Sequence, residues 1–379
     1  MFAVTGSVLR RTHPSPRFRF SMREFSVKTS FVKIEPKQDP HFGTPCSRSS
    51  HGLSLINNGT RIVLYGGEHI ARTPLDGTDT LWAADLNLST ETWEWRCINT
   101  ESMPPKRVAH AQAAARDNCI YVFGGRAGVG MKEEAMNDLW KLDASGKKGS
   151  EVWTKVEPND SSDPPPEVRS FHKMVCVGDS LFVFGGCGVH SRLADLHRFD
   201  LTNNSWHTLD ASALLRGRGG ANLIPLNSAS VLAVVAGFAG EETADGHTYD
   251  IEKEIWEDSL MGDALAELRP RSVCCSASFP STGVSVVFGG EVDPSERGHE
   301  GAGGFQNDIV YLDEKTGQHL HTDAAPSDAK NWPQTRGWAD SASVDNGDGT
   351  GHMYVFGGLT GDDSNPQRLS DLWRLDIEK

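Results

Sequence analysis

One pattern recurs six times along the chain: a β-branched or aromatic run that ends in two small residues. It reads IVLYGG at Gly66 and Gly67, YVFGG at Gly124 and Gly125, LFVFGG at Gly185 and Gly186, AVVAG at Ala236 and Gly237, VVFGG at Gly289 and Gly290, and MYVFGG at Gly357 and Gly358. The first members of the pairs lie 51 to 68 positions apart. A repeat of that length is one supersecondary unit that cannot bury its apolar surface alone, so the units must stack on one another. After each pair comes a run ending in an acid: LWAADL near Asp85, DLWKLD near Asp143, DLHRFD near Asp200, GHTYD near Asp250, DIVYLD near Asp313 and DLWRLD near Asp376. Four of these are followed by a tryptophan, Trp93, Trp153, Trp206 and Trp256, which opens a further strand.

Six such units specify an all-β, six-bladed β-propeller of four-stranded antiparallel blades. The glycine pairs let a strand end close to the axis, where a Cβ would clash, and the tryptophans fill the space between blades. Residues 30–379 are expected to form this single domain, since no stretch between 45 and 379 has the composition of a linker. The 39 glycines and 19 prolines favour tight turns over long helices. The sixth unit shows no outer strand of its own before Lys379. SFVKIEP, residues 30 to 36, has the alternation of that strand and matches EVWTKVEP, residues 151 to 158, with Phe31 in place of Trp153. The ring is thus expected to be closed by an N-terminal strand, which removes its open edges.

The formal charge is −14, and the first 23 residues carry Arg10, Arg11, Arg17, Arg19 and Arg23 without an acid, so the rest of the chain stands at −19. An acidic body disfavours nucleic acid as a partner, because phosphate binding needs clustered basic charge. No run approaches 18 apolar residues, so no membrane partner is expected. The seven cysteines are scattered, without C-x-x-C or zinc spacing, and read as reduced thiols of a cytoplasmic protein. Residues 1–29 form either a disordered tail or a transit peptide that would send the chain to a mitochondrion or plastid.

Each unit also opens on an arginine: Arg48 in RSSH, Arg107 in RVAH, Arg169 in RSFH, Arg218 in RGGA, Arg271 in RSVC and Arg336 in RGWA. Six guanidinium groups around one channel mouth could hold an anion bidentately; the alternative is pairing with acids of adjacent blades. In the fifth unit, GGEVDPSERGHEGAGGF brings Glu291, Asp293, Glu296, His299 and Glu300 off one strand end. Two carboxylates and an imidazole make a facial set for a ferrous ion, and the alternative is a solvated acidic loop. No G-x-S-x-G, P-loop or dinucleotide fingerprint is present. The five tyrosines mostly sit at strand interiors, which argues against a copper-radical oxidase.

From about residue 30 onward the chain resembles the kelch family of propellers. RSSHG, GGR, RSFH, RGGA, GGE followed by GH, and RGW make it similar to the plant specifier proteins: nitrile-specifier, epithiospecifier and thiocyanate-forming proteins. The resemblance implies that a loop of pattern E-x-x-x-D-x-x-x-H holds Fe²⁺. Glu291 and His299 match its outer ligands, Ser295 occupies the middle position, and Asp293 or Glu296 is the carboxylate that would have to turn inward instead. It further implies that Arg126, Phe171, Arg192 and Trp338 contact the substrate, with Arg126 and Arg192 also acting in catalysis; for Phe171 and Trp338 inner-strand packing is the alternative.

The function implied is that of an Fe(II)-dependent, lyase-like specifier protein. It would direct the breakdown of a thiohydroximate sulfate, the aglucone released from a glucosinolate, towards nitriles or related products. The expected partner is a small anionic substrate. Two other readings stand beside it: a related metalloenzyme with a different small-molecule substrate, and a kelch scaffold with a protein partner.

Overall fold

The computed structural model describes residues 26–128, 135–265, 267–327 and 330–379, with the backbone alone at His299. Residues 1–25, which carry the tail or transit-peptide expectation, lie outside them. Six four-stranded antiparallel sheets form a six-bladed β-propeller. Blade one is built from Gly52–Ile56, Arg61–Tyr65, Leu81–Asn87 and Thr92–Cys97, running outward from the axis in chain order, and blades two to five repeat it. No α-helix occurs among the described residues, and none of their helices is long and apolar enough to cross a membrane.

The core lies between the blades. The second strand of each blade is covered on both faces, as in Arg61–Tyr65, where all five residues are buried. Outer-strand aromatics complete the seam by packing on the second strand of the preceding blade. Trp153 meets Tyr65 at 5.0 Å, Trp206 meets Phe123 at 5.1 Å, and Trp93 of blade one meets Tyr354 of blade six at 5.4 Å.

Blade six takes Asp340–Asp345, Thr350–Phe356 and Leu372–Glu378 from its own repeat and Lys28–Ile34 from the N-terminal segment. Phe31 stands opposite Leu375 in that pairing and is buried 5.1 Å from Phe288 of blade five, the seat the tryptophans occupy elsewhere. The closing strand is the expected segment, but it runs Lys28–Ile34 and not 30 to 36: Lys28 and Thr29, assigned to the tail from sequence, pair with Glu378 and Ile377.

The glycine pairs answer to one close approach. A Cβ on Gly66 would lie 2.8 Å from the Arg107 carbonyl of the next blade, and one on Gly67 would lie 2.7 Å from the Ser49 carbonyl. Both have positive φ, and the Gly67 amide donates to the Arg107 carbonyl at 3.1 Å. The equivalent inter-blade bond recurs in every blade, ending with Gly358 to the Arg48 carbonyl at 2.9 Å.

The six opening arginines do not line a mouth. All six side chains are buried. Arg107, Arg169, Arg218, Arg271 and Arg336 grip Asp138, Asp195, Asp245, Asp308 and Asp371 bidentately at 2.5 to 3.1 Å. These acids belong to the arginine's own blade, not to the adjacent one as expected. Arg48 differs: Thr80 stands in strand register where Asp138 stands in blade two, and the Arg48 guanidinium bonds instead to the Gly66 carbonyl at 3.1 Å and the Cys46 thiol at 3.5 Å.

Candidate functional site at the channel mouth

Two residues downstream of each arginine the chain turns left-handed. Ser50, Ala109, Phe171, Gly220, Val273 and Trp338 all have φ between 50° and 61°. Their backbones form a closed ring, each amide donating to the carbonyl of the preceding blade at 2.8 to 3.0 Å, with Ser50 bonding to Trp338 to complete it. The side chains of this ring therefore gather around the axis. Phe171 and Trp338, on opposite blades, meet at 5.3 Å.

On one side of that pair is a cavity of about 250 Å³. Phe171, Phe238 and Trp338 give it aromatic walls, and Cys187, Arg192, Ser272, Glu291, Pro294 and Ser295 give it polar and loop surface. The Arg192 guanidinium lies 4.6 Å over the Phe238 ring, which orients it without neutralising it. Arg126 stands off the pocket wall, its Nε donating to Ser170 Oγ at 2.7 Å. The Cys187 thiol lies within the field of both arginines: burial pushes its pKa up, and Arg192 and Arg126 pull against that.

Glu291 is buried at the pocket edge. Burial pushes its carboxyl up to about 7, hydrogen bonds from Ser295, Gly303 and Trp338 pull it down, and Asp363 pushes it up again. Glu242 is pushed up to about 8 by burial, with the Ser272 hydroxyl donating to it at 3.1 Å. Asp293, the inward carboxylate of the sequence reading, points the other way: it is exposed and pairs with Arg269 at 2.9 Å. The side chain of Glu296 is exposed too. Ser295 gives its hydroxyl to Asp363. The His299 side chain lies outside the described residues.

Among the described residues no three His, Cys, Asp or Glu side chains are grouped to hold a metal ion. Among the described side chains of its loop, Glu291 is the one buried carboxylate.

Sequence reasoning missed Phe238, Glu242 and Asp363, and also a charged pair inside the channel. Lys173 Nζ of blade three reaches Asp340 of blade six at 3.3 Å, while Asp340 also accepts from the Leu53 amide at 2.8 Å. Phe238 had a signal in the sequence, since it follows its small-residue pair, Ala236 and Gly237, as Arg126 and Glu291 follow theirs.

Fold and mouth together define a kelch-type propeller with an axial pocket. The chain matches the model of the KLHDC2/KLHL20/DRC7 Kelch-repeats domain over residues 18–161 and 103–290. It belongs to that family. It is 25% identical over 340 residues to the N-(sulfonatooxy)prop-2-enimidothioate sulfolyase of Thlaspi arvense, covering 84% of this chain and 90% of the relative. To Adagio protein 3 of Arabidopsis thaliana it is 31% identical over 249 residues, 62% of this chain but 37% of that protein. The solved structure of YjhT superposes with a TM-score of 0.62 at 15% identity, over 89% of this chain and 98% of that one, a likeness of fold alone.

Proposed function

We propose that this chain is a specifier-like protein that receives a small sulfated thiohydroximate in the mouth pocket and directs its breakdown towards a nitrile or a related product. The observation that carries the reading is Arg192 stacked on Phe238 in a pocket floored by Phe171 and Trp338, within a chain similar over most of its length to a sulfolyase. In the step to a nitrile the N–O bond breaks and its electron pair leaves with the sulfate dianion, while the C–S bond breaks and its pair forms the third C–N bond, so the sulfur departs at the zero oxidation level. Arg192 lowers the cost of that developing charge, and its planar fork matches sulfate oxygens. Arg126, near the same thiol, adds positive field at the mouth. The aromatic faces take the variable side chain of the substrate. No step is assigned to Fe²⁺, and none requires a protein nucleophile.

Calorimetry with p-nitrophenyl sulfate as a stable probe tests the pocket. Arg192→Ala is expected to weaken binding by about 1.5–3 kcal/mol, the value of one charge-assisted contact. Unchanged affinity would return Arg192 to a surface role and favour the protein-binding scaffold.

A further inference from the structure

Asp363 lies on the loop after the glycine pair of blade six, yet it reaches the acid-rich loop of blade five. Its carboxylate accepts from the Ser295 hydroxyl and, at 3.1 Å, from the Glu296 amide. Its backbone carbonyl accepts from Arg297 Nη1 at 2.6 Å, and Ser295 Oγ accepts from the Arg297 amide at 3.0 Å. The Ser295 amide hydrogen-bonds towards Glu291. Ser295 is therefore committed at both ends, its amide to one carboxylate and its hydroxyl to another. A Cβ at Gly301 would overlap Asp363 Oδ1 and Ser295 Oγ, so glycine here leaves the two side chains free to meet.

A carboxylate at position 295 would face Asp363 directly, and like charges at hydrogen-bond distance repel. Pro294, Ser295 and Gly298 line the mouth pocket along with Arg192 and Phe238, so whatever fixes this loop fixes a pocket wall.

We propose that Asp363 is a positioning residue of the mouth pocket: through Ser295 it holds the blade-five loop as a pocket wall, the task that a metal ion would otherwise perform. The pocket then forms without metal, and Asp363 acts on ligand affinity without touching the ligand. The inference concerns the loop and stands apart from the sulfated substrate proposed above, so either can fail alone.

Amide hydrogen exchange on the full chain, freed of metal with EDTA, tests it. Protection of the amides at 295–298 in the wild type is expected to be the same with and without added Fe²⁺ under anaerobic conditions. Asp363→Ala should lose protection there by roughly ten-fold or more while the melting temperature holds. Asp363→Asn keeps an acceptor for the Ser295 hydroxyl and should recover part of the protection, and part of any lost affinity for p-nitrophenyl sulfate. If Asp363→Ala fails to fold, Ser295→Ala removes the same hydroxyl bond from the other side and should show the same local loss. Wild-type protection in the variants, or a wild-type loop that becomes protected only when Fe²⁺ is added, would overturn the proposal.

Discussion

The rings of Phe171 and Trp338, carried by opposite blades, meet edge to face at 5.3 Å and 80° over the propeller axis. Both residues line the mouth pocket and also a second cavity of about 140 Å³ further down the channel, so the pair is floor to one and roof to the other. Below it the Lys173–Asp340 pair joins the same two blades. The left-handed backbone at both rings, fixed by the six-membered amide ring, is what turns these side chains to the axis.

If the two rings act as one unit, truncating either should remove most of what the pair contributes. A double-mutant cycle of Phe171→Ala and Trp338→Ala on urea unfolding is expected to give a coupling of about 0.5–1.5 kcal/mol. Additive losses would mean that the rings pack independently.

Arg48 offers a second test, because it alone among the six arginines has no carboxylate grip. Thr80→Asp should supply one and stabilise the fold by about 1.5–3 kcal/mol, while Arg107→Ala should cost about 3–5 kcal/mol by emptying a fully buried site and leaving half-buried Asp138 without its partner. Chemical denaturation reads both. A destabilised Thr80→Asp would contradict the equivalence of the two positions.

Acid should loosen the ring. His51, His110 and His172 are wedged between blades, and burial holds His110 down to about 3 and the other two well below 6.5. Below about 6.5 the unfolded chain binds protons at these rings that the folded chain refuses, so their contribution is lost as pH falls. His247 and His319 lean the same way, and Glu242, Glu291 and Glu314, raised by burial, lean the other way above about 4.5. The imidazoles outnumber the carboxyls, so the melting temperature is expected to fall from about pH 6.5 to about pH 5. His110→Gln should show a shallower decline than the wild type. An equal decline would clear His110 of a part in it.

Closure by Lys28–Ile34 predicts that removing residues 1 to 22 leaves stability unchanged, whereas removing 1 to 38 lowers the melting temperature sharply or abolishes soluble expression. Phe31→Ala, which empties the seam against Phe288 and Trp332, should cost about 3–5 kcal/mol. Equal melting temperatures for the two truncations would contradict the closure.

What the sequence revealed was what the blades repeat. Glycine pairs, seam aromatics and the Phe31 strand were legible because each answers to a constraint imposed six times. The arginine partners were legible in principle: Asp138, Asp195, Asp245, Asp308 and Asp371 each stand five residues before the recurring acid of their repeat, Asp143, Asp200, Asp250, Asp313 and Asp376, and Thr80 breaks the series in blade one. Asp363 with Ser295, and Lys173 with Asp340, were not legible, since each joins residues from different blades across a distance that only the closed ring sets. The direction of Asp293 was hidden for the same reason, because its partner Arg269 comes from another segment.

Under the proposed function the mouth pocket steers a sulfated thiohydroximate through Arg192. The most direct measurement is the product distribution when N-(sulfonatooxy)prop-2-enimidothioate is released in situ by myrosinase, with and without the protein. Nitrile or a related product is predicted to rise at the expense of isothiocyanate with the wild type, and the shift should be lost with Arg192→Ala. An identical distribution with wild type, variant and no protein would rule out steering by Arg192.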